Sequence, residues 1–299
     1  MFDQIFGNYL VQTGRISEEQ LSKVIEQERE ARVKLGLIAV SEKLMSKEQA
    51  DEVNHLQSLM DKRFGDIAIE RGYLTEEQVS QLLKKQGNIY MLFVQTLIDE
   101  DVMTLEEVDE ALTEYKEDQG FTQSDMDSLV SGDIERTVKL FLPSNSELYD
   151  KLCGIAVRTL LRVINSHASV SKAFLVDELN ADNFAMQMMV GDHKILSGFA
   201  GSGNSLLSIA VPFGEEEFEQ VDIDALDAVG EFTNCINGLF ATDLCADGLE
   251  IDMVPPEFYD HPVVLKGRQF CVFPISIGDD HINFILSVDS DISIDQGRV

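Results

Sequence analysis

The chain has 299 residues, 44% of them hydrophobic, and a formal net charge of −31 at pH 7. The length favours two domains, each able to bury its own core, and the apolar share marks a globular rather than a disordered chain. Residues 1–125 carry 13 Lys and Arg against 26 Asp and Glu, and the remainder 10 against 28, so neither half has the basic footprint that nucleic acid or anionic lipid requires.

Apolar runs are short and broken by charges, so no membrane insertion is expected. The opening Met1-Phe2-Asp3-Gln4 lacks the basic stretch of a signal peptide, and a cytoplasmic location is the expectation. Cys153, Cys235, Cys245 and Cys271 are scattered and read as reduced thiols, mostly buried. The five histidines form no pair at ligand spacing, so no metal site is expected.

The first half repeats itself. Ser17, Ser46, Thr75 and Thr104 lie 29 residues apart, each followed three residues later by Gln20, Gln49, Gln78 or Glu107. Each pair has the pattern of a capping box, in which a hydroxyl caps the helix and the long side chain reaches back. The apolar residues Ile16, Met45, Leu74 and Met103 precede the caps as hydrophobic staples. Upstream of each cap lies a shorter apolar segment, opened by Gly7, Gly36, Gly65 or Val94. Gly14 and Gly72 stand where such a short helix should end. Each repeat is therefore a short helix, a turn and a longer helix, and the four units should stack.

The stretch Arg63-Phe64-Gly65-Asp66-Ile67-Ala68-Ile69-Glu70-Arg71-Gly72-Tyr73-Leu74-Thr75-Glu76-Glu77-Gln78 resembles the helical N-terminal domains of type II secretion and type IV pilus ATPases. Some of those domains bind cyclic di-GMP through an Arg-Leu-Gly opening and a closing Gln. That resemblance makes Arg63, Gly65 and Gln86 candidate nucleotide contacts. A second copy, Lys34-Leu35-Gly36 with Gln57, has Lys43 in place of its inner glycine. The alternative is a stacking scaffold or docking platform.

Glycine, serine and acids are mixed over residues 117–133, which suggests a hinge or loose connector, so the domains are drawn as 1–122 and 137–299 with a linker at 123–136. Residues 145–164 read as a helix with an apolar stripe at Leu148, Leu152, Ile155, Ala156, Leu160 and Val163. Four strand-like runs follow, at 169–177, 183–190, 194–200 and 205–212. A helix is expected over 224–244. The chain closes with a hairpin in which Cys271, Phe273, Ile275 and Ile277 face Ile282, Phe284, Leu286 and Val288 across Gly278-Asp279-Asp280. The fold class is thus multi-domain: an all-α fourfold helical repeat, then an α+β domain with a mostly antiparallel sheet covered by helices.

Between Lys194 and Lys266 there are 14 acids and no Lys or Arg. This surface is either a solvated face or a docking face for a partner presenting Lys or Arg. Within it, Leu226, Val229, Thr233, Ile236 and Phe240 form one helical stripe that must face the sheet. Asp227, Glu231, Asn234 and Gly238 form another, about 150° away. Asn has no helix-propensity advantage there and Gly costs about 1 kcal/mol against Ala, although Glu and Asn at this spacing also occur on many solvated helices.

The stretch Leu226–Gly238, with Glu231-x-x-Asn234 and Gly238, resembles the signature helix of the CheC/CheX/FliY phosphatases, and the final hairpin resembles the end of a CheX domain. With a single Glu-x-x-Asn, the pattern is nearer CheX than CheC or FliY. The residues between Pro212 and Asp224 leave no room for the long helix usual before the signature helix in CheX. The resemblance implies a hydrolase acting on the aspartyl phosphate of a CheY-like receiver, which itself supplies Mg²⁺. Asn234 and Glu231 are then the catalytic candidates, and Asp227 and Gly238 the partner contacts. It also leaves open a homodimer, a receiver-binding adaptor without catalysis, and a cyclic di-GMP-sensing scaffold.

Overall fold

The computed structural model describes residues 1–28, 34–59, 63–85, 89–143 and 146–296. The chain forms two compact units, one of residues 6–132 with Phe2, the other of residues 133–299 with Met1 and Asp3–Ile5.

The chain up to Gln119 forms four short–long pairs: α1 (Phe2–Gln12) and α2 (Glu18–Glu28), α3 (Leu35–Ser41) and α4 (Lys47–Leu59), α5 (Phe64–Glu70) and α6 (Glu76–Lys85), α7 (Ile89–Asp99) and α8 (Leu105–Gln119). All four capping boxes form. The backbone N–H groups of Ser17, Ser46, Thr75 and Thr104 donate to Gln20, Gln49, Gln78 and Glu107 at 2.7–2.8 Å. The four hydroxyls accept in return at 3.1–3.3 Å. Each short helix ends in a left-handed residue: Gly14, Lys43, Gly72 and Asp101, at φ of 71°, 56°, 74° and 52°. Lys43 thus takes the conformation that glycine holds in two of the other repeats.

Gly36 and Gly65 are packing residues. A methyl group on Gly65 would lie 2.8 Å from Val79, and one on Gly36 2.9 Å from Phe64. The repeats do not form an open stack. Helix α2 packs on α7, and α3 packs on both α5 and α6. The first repeat therefore meets the fourth, where Tyr9 and Tyr115 sit edge to face at 4.9 Å. Lys34 pairs with Asp99 at 2.7 Å, tying the second repeat to the fourth. With only four units, closing the bundle buries faces that an open array would leave to solvent.

Where composition suggests a loose connector, the chain is helical. Helix α9 (Gln123–Ser131) has its own capping box from Thr122 and Asp125, and α10 (Ile134–Leu140) is capped by Asp133. The two units divide between these helices.

The second unit continues with α11 (Glu147–Val163), β1 (Ser169–Val170), β2 (Phe174–Ala181), β3 (Asn183–Gly191), β4 (Ile195–Gly201), α12 (Leu207–Gly214), α13 (Ile223–Ala246), β5 (Ile251–Met253), β6 (Glu257–Tyr259), β7 (Val263–Ile277), β8 (Asp280–Val288) and β9 (Ile292–Gln296). The strand expected at 205–212 is instead α12. A continuous apolar run does not distinguish a strand from a buried helix, and here Leu206, Ile209 and Ala210 bury one helical face. A helix, though a short one, therefore does precede α13.

Among the described residues every strand pairing is antiparallel, in the order β1-β7-β8-β4-β3-β5, with β2 and β9 also on β7 and β6 also on β3. The expected hairpin forms, and its register places Phe273 opposite Phe284 and Ile275 opposite Ile282. One sheet face carries Phe199, Phe273 and Phe284, all buried, and α13 packs on β3 and β4. The other face is covered by the sheet itself. Strand β7 has Gln269 at φ 51°, and β2 bulges between Val176 and Glu178. That bend gathers Val263 and Leu265 into one cluster with Phe184, Leu196 and Ile285.

No helix among the described residues is long and apolar enough to cross a membrane. Two of the four cysteines, Cys235 and Cys245, are exposed rather than buried. Burial pushes the Cys271 thiol up to about 12.

Candidate functional site

Helix α13 begins at Asp222, whose side chain accepts from the Ala225 N–H at 3.0 Å. Leu226, Val229, Thr233, Ile236 and Phe240 are fully buried, as the apolar stripe requires. Phe232 and Asn237 are buried as well, so the helix sinks deeper into the sheet than one stripe implies. Asp227 and Glu231 are exposed, while Asn234 and Gly238 are half-buried.

The two glycines of α13 differ in environment. A methyl group on Gly230 would lie 2.3 Å from the Phe258 ring, so close packing against β6 requires glycine there. A methyl group on Gly238 would meet only the end of Met253, at an ordinary 3.8 Å. Nothing within the described chain requires glycine at 238.

Asn234 is tethered from below. Its Oδ1 accepts from Gln187 Nε2 at 2.8 Å, and the same nitrogen donates to the Val254 carbonyl at 2.9 Å. Gln187 Oε1 accepts from Asn237 Nδ2 at 2.8 Å, and Asn237 Oδ1 accepts from the Ser197 hydroxyl at 2.8 Å. Gln187, Ser197 and Asn237 are 2%, 0% and 0% exposed. Neither Gln187 nor Asn237 is among the site candidates that helix periodicity selects. The available signal was a lone polar residue, Gln187, within the otherwise apolar run 184–190.

Asp227 and Glu231 also line a groove of about 750 Å³ that runs toward the chain between α12 and α13. Among the described residues seven carboxylates and no Lys or Arg line it, so its potential suits a cationic group. Of the candidate nucleotide contacts, Arg63 is exposed at the start of α5, Gly65 is buried, and Gln86 lies outside the described residues.

Residues 184–276 match the family model of the chemotaxis phosphatase CheX. This region of the chain is CheX-like. The matched span contains Glu231, Asn234 and Gly238 and every member of the network beneath them. No curated protein matches the chain. Among solved structures, a CheC-like superfamily protein from Shewanella sp. PV-4 aligns at 20% identity and a TM-score of 0.42, over 48% of this chain and 99% of that one. A chemotaxis protein CheX from Vibrio vulnificus aligns at 17% identity and 0.41, over 48% and 99%. The CheX–CheY–BeF3–Mg²⁺ complex from Borrelia burgdorferi aligns at 19% identity and 0.39, over 50% and 99%.

Proposed function

We propose that the C-terminal unit hydrolyses the aspartyl phosphate of a CheY-like receiver, with the helical repeats serving as scaffold or regulatory module. The observation that carries this reading is Asn234, held at the surface of α13 within a CheX-like segment, one turn from an exposed carboxylate and one turn from a glycine with no internal packing role.

The receiver supplies the phosphoryl group and Mg²⁺, which leaves positioning as the task of this chain. Glu231 accepts a charge-assisted hydrogen bond from a lysine beside the phosphorylated aspartate and sets the docking register. The acidic groove next to it favours approach of a cationic surface. Asn234 holds a water with one proton on the free lone pair of Oδ1, which leaves an oxygen lone pair of the water directed at phosphorus. Its Nδ2 hydrogens are available to a phosphoryl oxygen. Attack forms the new P–O bond and breaks the bond to the aspartate, releasing free carboxylate and inorganic phosphate, to which the water's proton passes. Gly238 admits close approach of the partner.

The test follows the decay of a panel of phosphorylated receivers with the full chain. Acceleration is expected for at least one receiver. Asn234→Ala abolishes it with folding intact, and Glu231→Ala raises the concentration needed for half-maximal effect. Decay unchanged across the panel refutes the reading. Decay that is accelerated equally by Asn234→Ala refutes the role of that side chain. A pure adaptor binds a receiver without altering its phosphate lifetime.

A further inference from the structure

The network beneath α13 has a direction, and its direction has a source. The Val254 carbonyl can only accept, so the end of the Gln187 amide that faces it at 2.9 Å is the NH2 group. Val254 is itself tied to the same strand as Gln187, its N–H donating to the Met188 carbonyl at 2.9 Å. With Nε2 so placed, its second hydrogen meets Asn234, which must present Oδ1. The opposite end of Gln187, Oε1, then selects Nδ2 of Asn237, and Oδ1 of Asn237 is left to take the Ser197 proton. Each amide has one orientation that satisfies its neighbour. Reversing any one of them buries two donors or two acceptors face to face, and an unsatisfied buried polar group costs about 1–3 kcal/mol.

We infer that Gln187 is the positioning residue of this site: it locks the Asn234 carboxamide so that Nδ2 and one lone pair of Oδ1 face the docking surface. The inference rests on the proposed function for what that orientation accomplishes, while the lock is a property of the free protein. An Asn on a helix surface ordinarily samples several side-chain rotamers and both amide orientations. Tethering Oδ1 to a buried, doubly bonded Gln removes that freedom before the partner arrives, and orientation of this kind is the main catalytic resource when the reacting groups come from elsewhere.

The test has two arms on the full-length chain. In the first, Gln187→Met keeps the side-chain volume close to the original and removes both tethers. At saturating phosphorylated receiver the decay rate is expected to fall about 10- to 100-fold, with the half-saturating concentration and the binding of beryllofluoride-activated receiver unchanged. Ile285→Val, which trims the core on the far sheet face, serves as the control for general destabilisation and leaves the saturating rate as it was. An equal loss in both variants, or a loss confined to half-saturation, overturns the inference.

The second arm needs no activity. Nitrogen-15 spectra of the free protein are expected to show slowly exchanging Gln187 side-chain amide protons and a single Asn234 rotamer, which becomes averaged in Gln187→Met. An averaged Asn234 in the wild-type protein overturns the inference. Should no receiver respond to the wild-type chain, the proposed function fails, and the spectra still decide whether Gln187 holds Asn234.

Discussion

Replacing Gly238 by alanine adds one methyl group at a place where the chain has room for it. The new carbon meets only Met253 Cε, at 3.8 Å, within the 24-residue helix α13. Alanine is favoured over glycine in a helix interior by about 1 kcal/mol. For a domain of this size that corresponds to roughly 2–4 °C in Tm. The same methyl group stands on the face that also carries Glu231 and Asn234. If a receiver packs closely there, an inserted methyl costs about 1–3 kcal/mol, equivalent to about 5- to 150-fold in affinity. Gly238→Ala is therefore expected to stabilise the protein and weaken receiver binding together, a combination that general damage does not produce. Thermal melts and titration with beryllofluoride-activated receiver measure the two effects. Gly230→Ala is the internal contrast: its methyl would lie 2.3 Å from Phe258, and overpacking costs about 1–3 kcal/mol. A loss of stability in Gly238→Ala, or a gain with unchanged binding, would refute the argument that the glycine serves an outside contact.

Two further outcomes are expected. Lys43 holds φ 56° at the position occupied by Gly14 and Gly72 in other repeats, so Lys43→Gly should raise the stability of the helical unit by about 1 kcal/mol, read from urea denaturation. The Asp289 carboxyl is held below its ordinary value by the Lys194 backbone N–H and by His193. A lowered folded-state value contributes stability that is fully present above the unfolded value of about 3.9 and is lost as pH falls through the folded one. Asp289→Asn should therefore be less stable than wild type at pH about 7, with the difference shrinking as pH falls below the unfolded value and through the folded one.

Much of the helical unit is written locally. A capping box needs only residues three apart, so Ser17 with Gln20 and its three counterparts announce themselves, and all four form. Their mutual arrangement is not local: Tyr9 against Tyr115 joins residues more than a hundred apart, and no periodicity states that the first repeat meets the fourth. The same division runs through the second unit. Period-2 alternation at 271–288 specifies the hairpin register, because one slip would turn Phe273 and Phe284 out of the core. The run at 205–212 has no such alternation, and its helix is decided by what surrounds it.

At the candidate site, helical geometry alone placed Asp227, Glu231, Asn234 and Gly238 on one face, since a 3.6-residue turn permits little else. Only the tertiary structure decided that Gln187, from a strand 47 residues away along the chain, lies beneath Asn234. Only the tertiary structure separated the two glycines of α13, because the need for glycine at 230 comes from Phe258 on a later strand. Residue type and spacing determine what a helix can present. Which amide is locked, and which way it points, depends on a backbone carbonyl that arrives only when the sheet is assembled.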